Sequence, residues 1–206
     1  MKVLLINGSP HEKGCTYTAL SLIAGELKAQ GIETEILHVG GQPVGGCIGC
    51  GGCRSGNGCV FGGVVNEAIE KAKTADAFVF GSPVHYASAA GNMASFMDRL
   101  AYAGGKYLAY KPAAICCSAR RAGTTSTLDQ LVKYPQFFHM PLVNGSYWAM
   151  VHGSTPEQVL QDAEGCAVMQ ELGRNMAWLL RCIEAGKAAG IDHPQNPPRP
   201  MTSFIR

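Results

Sequence analysis

The chain has 206 residues, of which 47% are hydrophobic and 16% are charged, and its formal net charge is +2. This length is enough for one domain with a sizeable core, and the small, dispersed charge does not favour nucleic acid or an anionic membrane as a partner. No apolar run reaches transmembrane length, and the N-terminus enters a strand directly, without a secretory signal. We therefore expect a single domain over residues 1–190, followed by a proline-rich tail over 191–206.

The nine cysteines are odd in number and clustered, instead of being spread as a disulfide framework. This usage favours a reducing cytoplasm, in which thiols serve a metal, a cluster or redox chemistry. Cys116 and Cys117 fall in an apolar strand, where cysteine behaves as a small hydrophobe. Cys166 and Cys182 are expected in the core or at an interface.

Short apolar runs alternate with amphipathic segments along the whole chain. The runs predict strands at 2–6, 32–39, 77–80, 112–117 and 140–143, the last of which could extend to 148. The amphipathic segments predict helices at 16–30, 64–74, 89–103 and 125–134, and one from Ser154 or Thr155 to about 185. This alternation predicts a three-layer α/β sandwich, with a parallel sheet between helices. Five strands in this rhythm match the doubly wound, flavodoxin-like order 2-1-3-4-5, in which ligands bind beyond the carboxyl ends of the strands.

Three polar loops follow the first, third and fourth predicted strands, so they fall on that ligand-binding edge. The first brings backbone N–H groups, two hydroxyls and the Lys13 cation to a helix N-terminus, which is a ready site for a phosphate. In the second, Gly81 and Pro83 are expected to force a sharp exit from the strand and to present backbone groups to a flat heterocycle beside His85 or Tyr86. The third, SARRAGT, has two arginines and small residues. Each loop alone is also typical of an ordinary surface turn, but three on one edge favour a binding site.

Three segments carry a resemblance to a known family: GSPHEKGCT, FGSPVHYAS and GNMASFMDR. With them, residues 1–150 resemble the flavodoxin-fold NADPH-dependent FMN reductases, and in pattern the iron–sulfur flavoproteins among them. The resemblance implies an FMN site in which the flavin does the chemistry and no side chain is catalytic. It places the FMN phosphate among Ser9, His11, Lys13, Cys15, Thr16 and Tyr17, the isoalloxazine beside Pro83, Val84, His85 and Tyr86, and Ser118, Ala119, Arg120 and Gly123 on the far side.

Two positions depart from the family pattern. His11 stands where the family usually has Arg or Lys, and Cys15 stands where it usually has Asn. Lys13 could restore the positive charge that His11 lacks.

A glycine-rich loop at 40–63 contains Cys47, Cys50, Cys53 and Cys59. Thiolates two residues apart on such a loop can converge on a soft metal centre, and four complete a 4Fe–4S cluster. The same spacing is found in iron–sulfur flavoproteins. Many FMN reductase relatives have a similar loop without a cluster, packed near the flavin or a partner subunit. A structural zinc is a third alternative, although overlapping pairs suit it less than two separate CxxC knuckles.

These features together predict an FMN-dependent oxidoreductase. It would pass hydride from NADH or NADPH through FMN to a quinone, a nitro compound or another small acceptor. The alternative is a non-enzymatic electron carrier that uses FMN and a cluster with a protein partner. A carrier should present a strongly acidic docking face, and the nearly balanced charge argues against it.

Surplus apolar residues also predict a homodimer or a homotetramer. They are the loop at 40–63, an exposed group formed by Tyr102, Tyr107 and Tyr110, and the proline-rich tail. Extended apolar surface usually marks an interface, and soluble oligomers are usually closed and symmetric. His38, His139, His152 and His193 have no sequence neighbour that suggests a role.

Overall fold

A computed structural model of the chain describes residues 1–198 and 200–202. The strands are β1 (Lys2–Asn7), β2 (Glu33–His38), β3 (Ala77–His85), β4 (Ser88–Ala89), β5 (Ala113–Ala119) and β6 (Met150–His152). The helices are α1 (Cys15–Ala29), α2 (Val64–Thr74), α3 (Gly91–Gly104), α4 (Thr124–Phe137), α5 (Pro156–Val159) and α6 (Ala163–Ala188). Short 3-10 turns lie at Gly52–Ser55 and Gly105–Tyr107.

Five parallel strands form the sheet in the order β2-β1-β3-β5-β6, and β4 pairs antiparallel with the end of β3. This arrangement confirms the predicted flavodoxin-like order. Side chains alternate between two cores: Leu4 and Ile6 of β1 pack towards α2 and α3, whereas Val3 and Leu5 pack towards α1 and α6. The helices therefore cover both faces and leave the strand ends open for a site.

The predicted fifth strand is wrong in its position. Residues 140–143 contribute only an isolated bridge between Ala113 and Leu142, and the strand itself is β6. The chain between them is drawn towards α6, because the Ser146 amide and hydroxyl donate to Glu171 Oε2 at 2.8 and 2.7 Å. A carboxylate on the last helix thus competes with the edge of the sheet for this segment.

The predicted last helix is two helices. Thr155 caps the short α5, and the Asp162 carboxylate caps α6 by accepting the Gly165 N–H at 2.9 Å. Asp162 also accepts the His152 N–H at 2.7 Å, so one carboxylate ties β6 to the start of α6. The predicted boundary at 154 or 155 is therefore correct for α5 and wrong for the long helix.

The tyrosine group predicted to be exposed is only partly so. Tyr102 is 73% exposed, but Tyr107 and Tyr110 are half-buried. The His193 ring stacks on Tyr110 with a centroid separation of 4.3 Å, and the Asn196 amide donates to the Tyr110 hydroxyl. The first part of the predicted tail therefore lies against the domain, whereas positions 199 and 203–206 of that tail lie outside the described residues.

Buried and exposed cysteines are distributed largely as predicted. Cys116 and Cys117 are fully buried in β5, and burial raises the pKa of Cys117 to about 12. Cys166 is half-buried, and its thiol donates to the Val159 carbonyl at 3.2 Å. Cys182 is exposed, which excludes the core, and its alternative placement at an interface stays a prediction. Within the described residues, no helix has both the length and the apolar character needed to cross a membrane.

Candidate functional site

The loops after β1, β3 and β5 meet at the carboxyl edge of the sheet. The Gly8 N–H donates to the Gly81 carbonyl at 2.9 Å and joins the loop after β1 to β3. The Thr16 and Ser118 hydroxyls share a buried hydrogen bond of 2.8 Å, which joins the start of α1 to β5. A Cβ added to Gly123 would lie 2.6 Å from Ala87 Cα, so the second and third loops also touch. The structure thus brings the three predicted segments together.

The start of α1 is built to receive an anion. Gly14 precedes the helix, no side chain caps its N-terminus, and its first turn has no acidic residue. Lys13 and His11 are exposed beside it, whereas Ser9 is buried and its hydroxyl oxygen accepts the His11 N–H at 3.1 Å. Free N–H groups and the helix dipole favour negative charge at this position. The loop therefore fits the phosphate of FMN.

Two predicted phosphate contacts point their side chains elsewhere. The Thr16 side chain is 1% exposed and faces Ser118. The Cys15 thiol donates to the Gly153 carbonyl at 3.5 Å, and burial raises the pKa of Cys15, which keeps it protonated. These side chains fix the start of α1 against β5 and the loop after β6. Of Cys15 and Thr16, only the backbone N–H groups are left to face a phosphate, beside the N–H of the half-buried Tyr17.

The segment predicted as a loop after β3 belongs largely to the strand. The strand continues through Pro83 and Val84 to His85, so the sharp exit predicted at residues 81–83 was wrong. Pro83 is the last residue of β3 to pair with β5, opposite Ser118, and this end position tolerates a residue without an N–H. Ser82 steadies the turn back, because its hydroxyl oxygen accepts the Ala90 N–H at 3.1 Å.

The β3–β4 hairpin has a strained two-residue tip. Tyr86 and Ala87 have φ values of 49° and 58°, as both central residues of a type I′ turn require. Neither residue is a glycine or asparagine, so each costs about 1–2 kcal/mol. The strain is held by α4, from which Ser126 donates to the Ala87 carbonyl at 2.7 Å and Gln130 accepts the Ala89 N–H at 2.9 Å. Tyr86 is fully exposed at the tip, where it is available to a ligand.

The far side of the site is part strand and part loop. Ser118 and Ala119 are buried residues of β5, so only 120–123 forms a loop. Arg120 is exposed there, and Gly123 adopts a φ of 96° immediately before α4. The carboxyl edge of the sheet thus has a cation on each of two sides, Lys13 after β1 and Arg120 after β5.

The four cysteines of the 40–63 loop line one cavity of about 280 Å³. Cys47 and Cys50 are exposed, and Cys53 and Cys59 are half-buried. Among the described residues, no three His, Cys, Asp or Glu side chains converge on a single ion position. A structural zinc needs such a convergence, whereas a cluster spreads its thiolates over several irons. An all-thiol donor set around a common cavity has the chemistry of a 4Fe–4S cluster, and four thiolates can also hold a structural zinc.

Glycine is required where this loop turns back on itself. Gly51 and Gly56 flank the 3-10 turn at φ values of 72° and 84°. A Cβ on Gly52 would lie 2.4 Å from Val60 Cγ1, so a side chain there would push the two halves of the loop apart. The glycines allow the cysteines to share a cavity.

Three side chains without a predicted role hold the loop in place. Asn92 of α3 donates to the Gly40 and Gln42 carbonyls and accepts the Val44 N–H. Asn66 of α2 accepts the Cys59 N–H at 2.8 Å and donates to its carbonyl at 3.0 Å. Arg99 of α3 donates a hydrogen bond to the sulfur of Cys59, the last cysteine of the loop. Asn92 and Arg99 lie within GNMASFMDR, which was the available signal for them.

A fourth residue without a predicted role connects the two regions. His38, at the end of β2, places Nε2 2.7 Å from the Ser9 carbonyl. A Cβ on Gly40 would lie 2.2 Å from the same carbonyl oxygen, so the cysteine loop begins in contact with the loop after β1. These contacts attach the start of the cysteine loop to the loop after β1.

Comparison with known proteins agrees with this geometry. The model of a family described as NADPH-dependent FMN reductase matches residues 1–155. An iron–sulfur flavoprotein of Methanocaldococcus jannaschii is 27% identical over 192 residues, which cover 89% of this chain and 100% of that protein. One of Methanosarcina thermophila is 24% identical over 190 residues, covering 91% and 99%. A solved flavodoxin from the domain Archaea has a TM-score of 0.58 at 14% identity, covering 88% of this chain and 99% of its own, which shows the shared fold.

Proposed function

Since the chain belongs to the NADPH-dependent FMN reductase family, we propose that it is an FMN-dependent oxidoreductase of small acceptors. Hydride would come from NADH or NADPH, and a quinone, a nitro compound or a similar molecule would receive the electrons. The observation that carries this proposal is the meeting of three loops at one sheet edge, with an uncapped helix N-terminus among them. When bound, the flavin supplies the hydride and electron transfer.

The chain's own residues bind and orient the cofactor. The start of α1 and Lys13 hold the phosphate, since both offer positive charge and N–H donors. The β3–β4 hairpin borders the ring, and its tip is held rigid by Ser126 and Gln130. Arg120 supplies positive charge that offsets negative charge gained on reduction. No side chain is required to transfer a proton.

Steady-state turnover tests the enzymatic proposal. The FMN-loaded chain is supplied with NADPH or NADH and, in separate assays, with a quinone, a nitro compound or ferricyanide. We expect nicotinamide oxidation that requires both FMN and the acceptor. A loaded chain that neither nicotinamide reduces would contradict the proposal and favour the electron-carrier alternative.

A second candidate function is electron transfer through a 4Fe–4S cluster in the cysteine cavity. It is favoured by four thiols around one cavity, by glycines that permit close wrapping, and by the iron–sulfur flavoproteins among the relatives. Cys47, Cys50, Cys53 and Cys59 would be the ligands. The loop begins against the residues proposed to hold FMN, which suits electron exchange between two centres.

Anaerobic reconstitution with iron and sulfide tests the cluster. We expect about four irons per chain and an EPR signal after reduction, both lost in Cys50→Ser. Cys182→Ser is the matched control, because Cys182 is exposed on α6, outside the loop. Wild-type protein that takes up no iron would refute the cluster, and stoichiometric zinc in its place would identify a structural metal.

We further propose that the chain forms a homodimer or a homotetramer through the rim of this cavity. Four large apolar side chains stand on the rim, with exposed fractions of 71% for Ile48, 62% for Val60, 55% for Phe61 and 73% for Tyr102. Exposed apolar surface of this kind is typical of an interface. Light scattering should give a mass of two or four chains, reduced by Ile48→Asp. A monomer mass at micromolar concentration would contradict this.

A further inference from the structure

Arg99 projects from α3 into the wall of the cysteine cavity. Its side chain is buried, with a residue exposure of 7%, and it lines the cavity together with the four cysteines. Nε donates to Cys59 Sγ at 3.3 Å, Nη1 to the Gly45 carbonyl at 3.3 Å and Nη2 to the Gly62 carbonyl at 3.1 Å. The guanidinium therefore spans both ends of the loop and touches one proposed ligand.

Two of the three acceptors of this buried cation are neutral carbonyls, and the third is the sulfur of Cys59. No ion pair between described residues includes Arg99. The neighbouring carboxylate, Asp98, is occupied by the Tyr134 hydroxyl at 2.6 Å. A buried charge without a counter-charge is costly, and such groups are normally paired. The guanidinium also lies 5.6 Å from the centroid of the Phe61 ring, whose face attracts a cation. The arrangement favours an anion nearby, and the cavity on which Arg99 borders is lined by groups that become anionic as thiolates.

We infer that Arg99 is the counter-ion of the cysteine centre and the positioning residue for Cys59. This inference rests on the proposed cluster. The positive charge of Arg99 offsets the negative charge of the ligand thiolates, and the Nε–H of Arg99 orients the Cys59 sulfur towards the cavity. Net charge and hydrogen bonds to the sulfurs set the reduction potential of a cluster. Because reduction adds negative charge, Arg99 favours the reduced form and raises the potential.

The test compares three variants of the full chain after anaerobic reconstitution. Arg99→Gln removes the charge, and Arg99→Lys keeps the charge while losing the forked guanidinium. Arg54→Gln is the matched control, because Arg54 lines the same cavity but is exposed to solvent, where its charge is screened. The measurements are iron and sulfide content and a redox titration of the cluster followed by EPR.

We expect Arg99→Gln to lower the equilibrium constant for one-electron reduction at least tenfold, which corresponds to about 59 mV. The equilibrium constants for reduction of Arg99→Lys and of Arg54→Gln should both stay within threefold of the wild-type value. A loaded Arg99→Gln with an unchanged potential would overturn the inference. If Arg99→Gln fails to fold, the Arg99→Lys variant serves as the test. A full cluster at the wild-type potential in this variant supports a role for the charge. An empty site, or a tenfold change in the equilibrium constant for reduction, refutes it.

Failure of the cluster proposal would look different. Wild-type protein without iron refutes the cluster, and this inference falls with it. Wild-type protein with a cluster, together with an Arg99→Gln variant of equal potential, refutes only the role of Arg99.

Discussion

The two candidate sites, whose loops meet at Gly40 and Ser9, are constructed in different ways. The edge formed after β1, β3 and β5 is held by the sheet itself, because the registers of three parallel strands bring their ends together. The cysteine loop has no strand, and side chains of α2 and α3 hold it from outside. The backbone thus fixes the first site as soon as the fold forms. The second site depends on a few hydrogen bonds from side chains that lie far from the loop in sequence.

The two sites also differ in the free energy needed to open them locally. Hydrogen bonds between strands form as part of one cooperative core, but a loop held by side chains can open locally at a lower cost than global unfolding. We call the edge formed after β1, β3 and β5 the flavin edge. We expect single substitutions there to leave its structure intact and to change mainly its affinity for FMN. The cysteine loop should respond in both its structure and its metal content.

Reversing the charge of Lys13 should have the largest effect on the flavin edge. Lys13→Glu places a negative side chain beside the phosphate at the start of α1, so FMN affinity should fall at least tenfold, or about 1.4 kcal/mol. Lys13 is exposed, so the fold should persist. Lys28→Glu, an exposed change of equal charge at the other end of α1, is the control for FMN titrations. Equal affinities for the two variants would place the phosphate elsewhere.

Removing the Asn92 amide should loosen the cysteine loop while sparing the flavin edge. Asn92→Ala eliminates three hydrogen bonds to residues 40–44 and should cost about 1–3 kcal/mol. Amide exchange over 40–46 should accelerate and reconstituted iron should be lost faster, with FMN affinity changed less than threefold. In Asn175→Ala, the control, one exposed bond to the Asn144 carbonyl is lost. If FMN binding fell as steeply as iron retention, the two regions would not be separable.

Relieving the hairpin tip should produce the smallest effect. Ala87→Gly removes a Cβ from a residue at a φ of 58°. The relief of about 1–2 kcal/mol outweighs the entropy cost of glycine, so the free energy of unfolding should rise by up to about 1 kcal/mol. Ala122→Gly, on the exposed loop after β5, should give no such gain. A chemical denaturation midpoint that fell for Ala87→Gly would show that the tip is unstrained.

The same contrast explains what the sequence could predict. Five strands, their order and most helix spans follow from local apolar periodicity, and strand ends in a parallel sheet must share an edge. The position of β6 does not follow, because Glu171 reaches back to Ser146 across 25 residues. The Asp162 cap was not predicted, because it lies within a segment whose periodicity suggested one helix.

The residues that hold the cysteine loop show the limit most clearly. Arg99 meets Cys59 across 40 residues, and Asn92 meets the Gly40 carbonyl across 52. A single asparagine or arginine on a helix has no periodic signature, so its partner becomes visible only when the chain is folded. The cysteine spacing predicted thiols that can converge on one metal centre. The structure places the four cysteines around one cavity, which needs only local turns, but no three described His, Cys, Asp or Glu side chains meet at one ion position.

The central claim is that the carboxyl edge of the sheet binds FMN with its phosphate at the start of α1. A comparison of FMN with riboflavin, titrated against the flavin-free chain by fluorescence quenching, tests it most directly, because the two differ only in the phosphate. We expect one FMN per chain and an affinity for riboflavin lower by at least roughly a hundredfold, a gap of about 2.7 kcal/mol, with Lys13→Glu narrowing that gap. Equal affinities for the two flavins, or a gap that Lys13→Glu leaves unchanged, would contradict the claim.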